Sequence, residues 1–362
     1  MPTWNIDPTQ TTALGSYRAA TGAELNGLLI NGDTVLWKND YFHDGNGSNG
    51  FLQSYLELDN LTLGTYGTGA KAALDPRIWL PPGSGGWTLV RSSGGVKAYR
   101  KQVVSTATAP VRRVWLGAVN GGIEIGARTA GEGIGRPPTE TGGLAYDILT
   151  SYTLADESIV LDRLYAAYAA QGRIWCSLDG SVAADRVIYM LVPSLNASDT
   201  PDNWYAGLAV LQLGTGVTVG AASPRGLRFR NCAGVLIDGL EIGGSDAAVK
   251  IDSNTTKATS NFTIQNCSLT YWWSRGVQVY GSGSFGNSNI VIQDNVLDAN
   301  PTADEQEPLT GSGWFHSAES IECLSSDDLA PLSGLRILRN ILSGLQHNAL
   351  NVATRSDTGG GA

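Results

Sequence analysis

Gly226-Leu-Arg-Phe-Arg-Asn-Cys232 and Gly234-Val-Leu-Ile-Asp-Gly-Leu-Glu-Ile242 open the pattern that decides the fold. It returns as Asn261-Phe-Thr-Ile-Gln-Asn-Cys-Ser-Leu269, Asn289-Ile-Val-Ile-Gln-Asp-Asn-Val-Leu297 and Gly334-Leu-Arg-Ile-Leu-Arg-Asn-Ile-Leu342. Each unit is a period-2 apolar run, then a polar residue, usually Asn or Asp, then another apolar residue. Short alternating pieces lie between the units: Val249-Lys250-Ile251, Val277-Gln278-Val279, Ile321-Glu322-Cys323 and Leu350-Asn351-Val352. A unit this small cannot bury its own apolar face, so the units must stack. Asn suits the bends because it tolerates left-handed backbone and bonds locally.

The alternating pieces recur after 28, 44 and 29 residues, counted from Val249 to Val277, Ile321 and Leu350. The even spacings fit one coil per repeat, and the surplus in the long one must leave as a loop. These coils resemble the right-handed parallel β-helix of the pectate-lyase-like superfamily, which includes polysaccharide lyases, glycoside hydrolases and bacteriophage tailspikes and depolymerases. Asn31-Gly-Asp-Thr-Val-Leu-Trp-Lys38 and Leu61-Thr-Leu-Gly-Thr-Tyr-Gly-Thr-Gly-Ala-Lys71 resemble the opening coil of such proteins. The fold class expected is therefore all-β, a right-handed parallel β-helix with an inserted β-rich module after the first coil. A fold of this kind leaves the reaction open.

The domain plan read from the chain is 1–75, an N-terminal cap and first coil; 76–222, the inserted module; and 223–362, the main stack. Residues 1–30 are read as a cap with a short helix within Ala19 to Ile30, and Val35 to Trp37 as the first strand. Pro76, Pro81, Pro82 and the glycines from Gly83 to Gly86 mark the boundary. Within the module, Trp87 to Val90, Val111 to Leu116, Ile174 to Leu178 and Val187 to Val192 read as strands, the last two as a hairpin. Ser158 to Ala170 reads as a helix, with Ile159, Leu161 and Leu164 apolar. The run from His43 to Gly50 reads as a solvated turn. The Gly131-x-Gly133-x-Gly135 spacing lacks a strand-to-helix frame, which excludes a nucleotide loop. The stack reaches Ala362 with no capping sequence, so a longer parent or a partner chain at this end is expected.

With 362 residues, 16% charged, 46 glycines and net charge −9, the chain carries no basic block for nucleic acid. No apolar run is long enough to span a membrane. Met1-Pro-Thr-Trp4 does not begin a secretory signal. A β-helix made without a leader yet suited to outside glycans fits a virion protein released by lysis; secretion after trimming is the alternative. Cys176, Cys232, Cys267 and Cys323 lack metal-ligand spacing and read as buried thiols, with a bridge between stacked coils as the alternative.

If Val249 and Ile251 point inward, Lys250 points outward, and Gln278, Glu322 and Asn351 continue its column about 4.8 Å apart. Glu322 is the leading catalytic candidate, with Glu319, Asp327 and His316 beside it. Lys250, Arg275, Gln278, Trp273, Trp314, His347 and Asn351 are candidate substrate-binding residues, the aromatics suiting the apolar faces of sugars. Asp327-Asp328 is the only pair of adjacent aspartates in the stack, too little for calcium, so no cofactor is expected. The function read from these residues and the resemblance is a phage tailspike-like protein that binds and hydrolyses a bacterial surface polysaccharide, assembled as a homotrimer or with virion proteins. The alternatives are a non-catalytic glycan-binding adhesin or structural virion protein, and a secreted lyase acting on a uronate polymer through Lys250, Arg275, His316 or His347.

Overall fold

The structure is a computed structural model. It describes residues 2–9, 18–19, 22–44, 55–75, 78–80, 82–102, 111–116, 123–124, 148–149, 153–171, 174–178, 187–205, 208–212, 226–243, 247–254, 256–270, 272, 275–281, 285–298, 319–325, 332–343 and 348–354. Strands dominate, and they fall into two compact units. One is built from 1–76, 224–300 and 317–362, the other from 77–223 and 301–316.

The first unit consists of three parallel sheets visited in rotation. Three consecutive strands, Leu236–Asp238, Glu241–Gly243 and Ala247–Asp252, lie one in each sheet. Thr259–Gln265, Ser268–Thr270 and Arg275–Gly281 repeat the order, as do Asn287–Gln293, Val296–Asp298 and Glu319–Ser325. Arg336–Leu338, Ile341–Ser343 and Asn348–Thr354 complete a further round.

Register follows the apolar pattern. In the first sheet Val35, Leu63, Ile237, Ile264, Ile292 and Ile337 lie side by side. In the second, Leu74, Ile242, Leu269, Leu297 and Leu342 form the same kind of column. In the third, Leu227, Val249, Val277, Ile321 and Leu350 do so. Most of these side chains are fully buried in one continuous core, where Phe229 meets Phe262 edge to face with centroids 4.9 Å apart. A one-residue slip would turn a whole column outward, so the alternation specifies the register. The cysteines agree: Cys232, Cys267 and Cys323 are buried free thiols.

Three expectations change. The first strand is Thr3–Ile6, which pairs in parallel with Thr34–Lys38, so the opening residues already belong to a sheet. The helix read within Ala19 to Ile30 shrinks to one 3-10 turn, Gly22–Leu25, since Gly22 and Gly27 within the stretch weaken a longer helix. His43 is not in a solvated turn. It sits on the strand Phe42–Asp44 beside Leu74, at the top of the second sheet's inward column, buried, with Nε2 3.2 Å from the Lys38 carbonyl. Pairing with Ala73–Asp75 overrides the turn-rich residues that follow it.

The second unit departs from the chain between Ala73–Asp75 of the second sheet and Leu227–Arg230 of the third. The excursion therefore interrupts a round rather than following a finished one. This unit holds a five-stranded sheet, a four-stranded sheet and the helix Glu157–Gln171. Trp175–Leu178 and Ile188–Val192 pair antiparallel, as the hairpin reading requires. Both faces of Ile188–Val192 are buried: Tyr189 and Leu191 pack with Val160, Leu161 and Leu164 of the helix, and Ile188 and Met190 with Val114 and Leu208. A strand covered on both sides reads as a continuous apolar run. Among the described residues, no helix is long and apolar enough to cross a membrane.

Candidate functional site

The third sheet of the first unit carries the chemistry. Its inward residues are apolar, so the residues between them must face the other way. The register places Arg228, Lys250, Gln278, Glu322 and Asn351 in one unbroken row across five strands. A second row, two residues along, begins Arg230, Asp252, Tyr280.

Glu322 is the fourth residue of the first row and is only 3% exposed. Arg275 clamps it with two nitrogens, Nε donating to Oε2 at 2.7 Å and Nη2 to Oε1 at 2.9 Å. Gln278 donates through Nε2 to the same Oε2 at 2.7 Å. A bidentate guanidinium–carboxylate pair is among the stronger polar contacts available to a protein. All three donors require an acceptor, which is the role of an ionised carboxylate. Behind Glu322 the Cys323 thiol is pushed up to about 12, chiefly by burial and further by the neighbouring carboxylate.

The second row has a different character. Lys250 Nζ lies 3.6 Å and Arg230 Nη2 3.9 Å from Asp252 Oδ2. The Arg230 guanidinium lies 3.7 Å from the centroid of the Tyr55 ring, a stacked cation–π contact. Tyr55 arrives here because its neighbour Leu56 bridges Phe229 at the start of the sheet. Among the described side chains of this face, four cations (Arg228, Arg230, Lys250 and Arg275) accompany two carboxylates (Asp252 and Glu322), in a chain whose net charge is −9.

The candidates drawn from sequence divide accordingly. Lys250, Gln278, Glu322 and Asn351 share the row. Arg275, a candidate substrate-binding residue, lies at the start of the strand Arg275–Gly281 and holds Glu322. Glu319 opens the strand Glu319–Ser325, with its backbone beside Arg275 and Asn348. Its side chain lies outside the described residues, as do His316, Asp327, Trp273, Trp314 and His347. The sequence reading missed Arg228, Arg230, Asp252 as a paired group, and Tyr55. The first three could have been found by carrying the alternation one strand earlier and one step further. Tyr55 gave no signal, since only the long-range bridge at Leu56 brings it in. Among the described residues, no group of three His, Cys, Asp or Glu side chains could hold a metal ion.

No protein-family model, no curated protein and no solved structure matches the chain.

Proposed function

We propose that the first unit is a right-handed parallel β-helix of the tailspike kind, and that the outer face of its third sheet binds a bacterial surface polysaccharide and cleaves it by hydrolysis. The observation carrying this reading is the row Arg228, Lys250, Gln278, Glu322, Asn351, one polar side chain per strand on a rigid sheet. Such a ladder offers hydrogen-bonding groups about 4.8 Å apart, a regular track for a chain of sugars. Strands also hold a constellation more firmly than loops do. In hydrolysis Glu322 would serve as a charged carboxylate that stabilises the cationic transition state, because the three hydrogen bonds it accepts from Arg275 and Gln278 favour its ionised form.

Two observations favour other outcomes of the same face. Glu322 already accepts three hydrogen bonds from Arg275 and Gln278, which suits a virion adhesin that binds without cleaving. The excess of cations suits an acidic polymer and, with a suitable base, elimination from a uronate.

The test is a digestion screen of the intact protein against capsular and O-antigen polysaccharides, read by product size and by the ultraviolet absorbance of unsaturated uronate ends. Shortened chains without that absorbance are expected, and Glu322→Gln should abolish shortening while leaving binding. Absorbing products transfer the chemistry to the cations. Binding without shortening assigns the adhesin role, and absence of both refutes a glycan function for this face.

A further inference from the structure

We infer that Asp252 is the hydroxyl-accepting point of a sugar subsite, flanked by the Lys250 and Arg230 heads as donors; the inference rests on the glycan-binding reading of this face. Asp252 ends the strand Ala247–Asp252, and its backbone is well fixed. Its carbonyl accepts from Thr259 Oγ1 at 2.6 Å and from the Asn231 amide at 3.4 Å. Its carboxylate is another matter. The side chain is only 8% exposed. Oδ1 has no hydrogen-bond partner. Oδ2 has only the two cations at 3.6 and 3.9 Å, beyond hydrogen-bonding distance.

Four other buried carboxylates among the described residues each accept at least two hydrogen bonds, although Asp33 also leaves one oxygen, Oδ1, without a partner. Asp7 accepts from Lys38 and from the amide and hydroxyl of Thr9. Asp33 accepts from Trp4 and the Ile30 amide. Asp202 accepts from Ser84, Thr200 and the Gly85 amide, and Glu322 from Arg275 and Gln278. Leaving a buried carboxylate without a hydrogen bond is costly, so an unsatisfied one calls for a reason. Here it lies on the outward side of the site sheet, between two cationic heads that are 22% and 31% exposed. A ligand bearing an O–H and a neighbouring oxygen would satisfy all three groups together. The O–H donates to Asp252 Oδ2, which lies between the two cations, while the adjacent oxygen accepts from Lys250 or Arg230. That is the chemistry of a vicinal diol on a sugar ring. The Tyr55 ring under Arg230 keeps that donor in place.

The experiment measures polysaccharide binding and thermal melting of the intact wild-type protein and of Asp252→Asn. The polysaccharide is whichever member of a capsular and O-antigen panel the wild type retains. Hydrogen bonds to a charged group are worth about tenfold or more in affinity, so binding should weaken by about that factor. Melting should hold or rise, because the substitution removes a buried charge that gains little from the fold. Equal binding by the variant overturns the subsite alone. A variant that melts markedly earlier or fails to fold marks Asp252 as a structural ion-pair partner and also overturns it. A wild type that binds no member of the panel overturns the glycan reading, and the subsite with it. As a control on ligand chemistry, periodate oxidation of the polysaccharide cleaves its vicinal diols and should weaken wild-type binding similarly. Undiminished binding after oxidation rules out the diol.

Discussion

Arg275 and Glu322 are the pair on which the site face depends most directly. Glu322 is buried, and its charge is matched by a guanidinium reaching it at 2.7 and 2.9 Å. Removing one member of a buried pair leaves the other uncompensated, which costs about 3–5 kcal/mol. Arg275→Ala should therefore lower the urea midpoint markedly, and the double replacement with Glu322→Ala should cost less than the two singles combined. Additive costs in that cycle would show that the pair is not coupled. His43 gives a second prediction at this scale. Burial holds its pKa below the ordinary 6.5, against the opposing pull of the Lys38 carbonyl and the Asp7 charge. The unfolded chain thus binds the proton more readily than the folded one. The stability that neutral His43 preserves is complete above pH 6.5 and is lost as pH falls from there toward the lower folded value. Melting temperatures measured from pH 7.5 downward should show this loss in the wild type and not in His43→Asn; identical curves would remove His43 as the cause.

The recurring element is a strand entered through a left-handed bend. Bends just before the strands of the first sheet, or near their start, place Asn60, Gly234, Asn261, Asn289 and Gly334 at φ between 52° and 71°. Those after the strands place Gly239, Asn266, Asp294 and Arg339 at φ between 51° and 75°. Gly, Asn and Asp are the residues that visit this region at low cost. Neighbouring bends also bond to each other, as Asn289 Nδ2 does to Asn261 Oδ1 at 3.1 Å. Asn261→Ala should destabilise by about 1 kcal/mol, and Asn261→Gly by less, since glycine restores the backbone freedom but not the side-chain bond. Equal losses would show that the side chain rather than φ dominates. Where Gly334 stands, an added Cβ would meet Asn289 Oδ1 at 2.5 Å, which compounds the strain of its φ. In the strands themselves the core decides. Phe262 lies fully buried against Phe229, and Phe262→Ala should cost about 3–5 kcal/mol in chemical denaturation.

At the scale of the whole molecule, stability is graded along the stack. Ile321 and Cys323 are fully buried, whereas Leu350 and Val352, their partners in the next strand, are 46% and 52% exposed. Ile341 and Leu338 are likewise exposed in the last described strands of the other two sheets. In a stacked repeat each round is held by its neighbours, so among the described strands those paired on one side only open first. Amides of Asn348–Thr354 should exchange with deuterium well before those of Arg275–Gly281, which is flanked by strands on both sides. Uniform protection along the third sheet would show that the stack opens as one cooperative unit.

Most of the first unit was legible in the sequence because its rule is local. Alternation sets the face of each residue, and the repeat distance of Val249, Val277, Ile321 and Leu350 sets which strands adjoin. Those two facts are enough to put Lys250, Gln278, Glu322 and Asn351 in one row, and the structure pairs them so. What the row does electrostatically was not legible. Whether Arg275 faces a ligand or Glu322 depends on side-chain reach across strands 47 residues apart in sequence, which no pattern encodes. The burial of His43 is of the same kind, since it follows from pairing with a strand some thirty residues later rather than from its own turn-like surroundings. Sequence by itself determined the elements, their faces and their order, because period and bend chemistry act over a few residues. Only the tertiary structure decided which charges meet and that the buried Asp252 carboxylate accepts no hydrogen bond, because those outcomes depend on distances across the sheet.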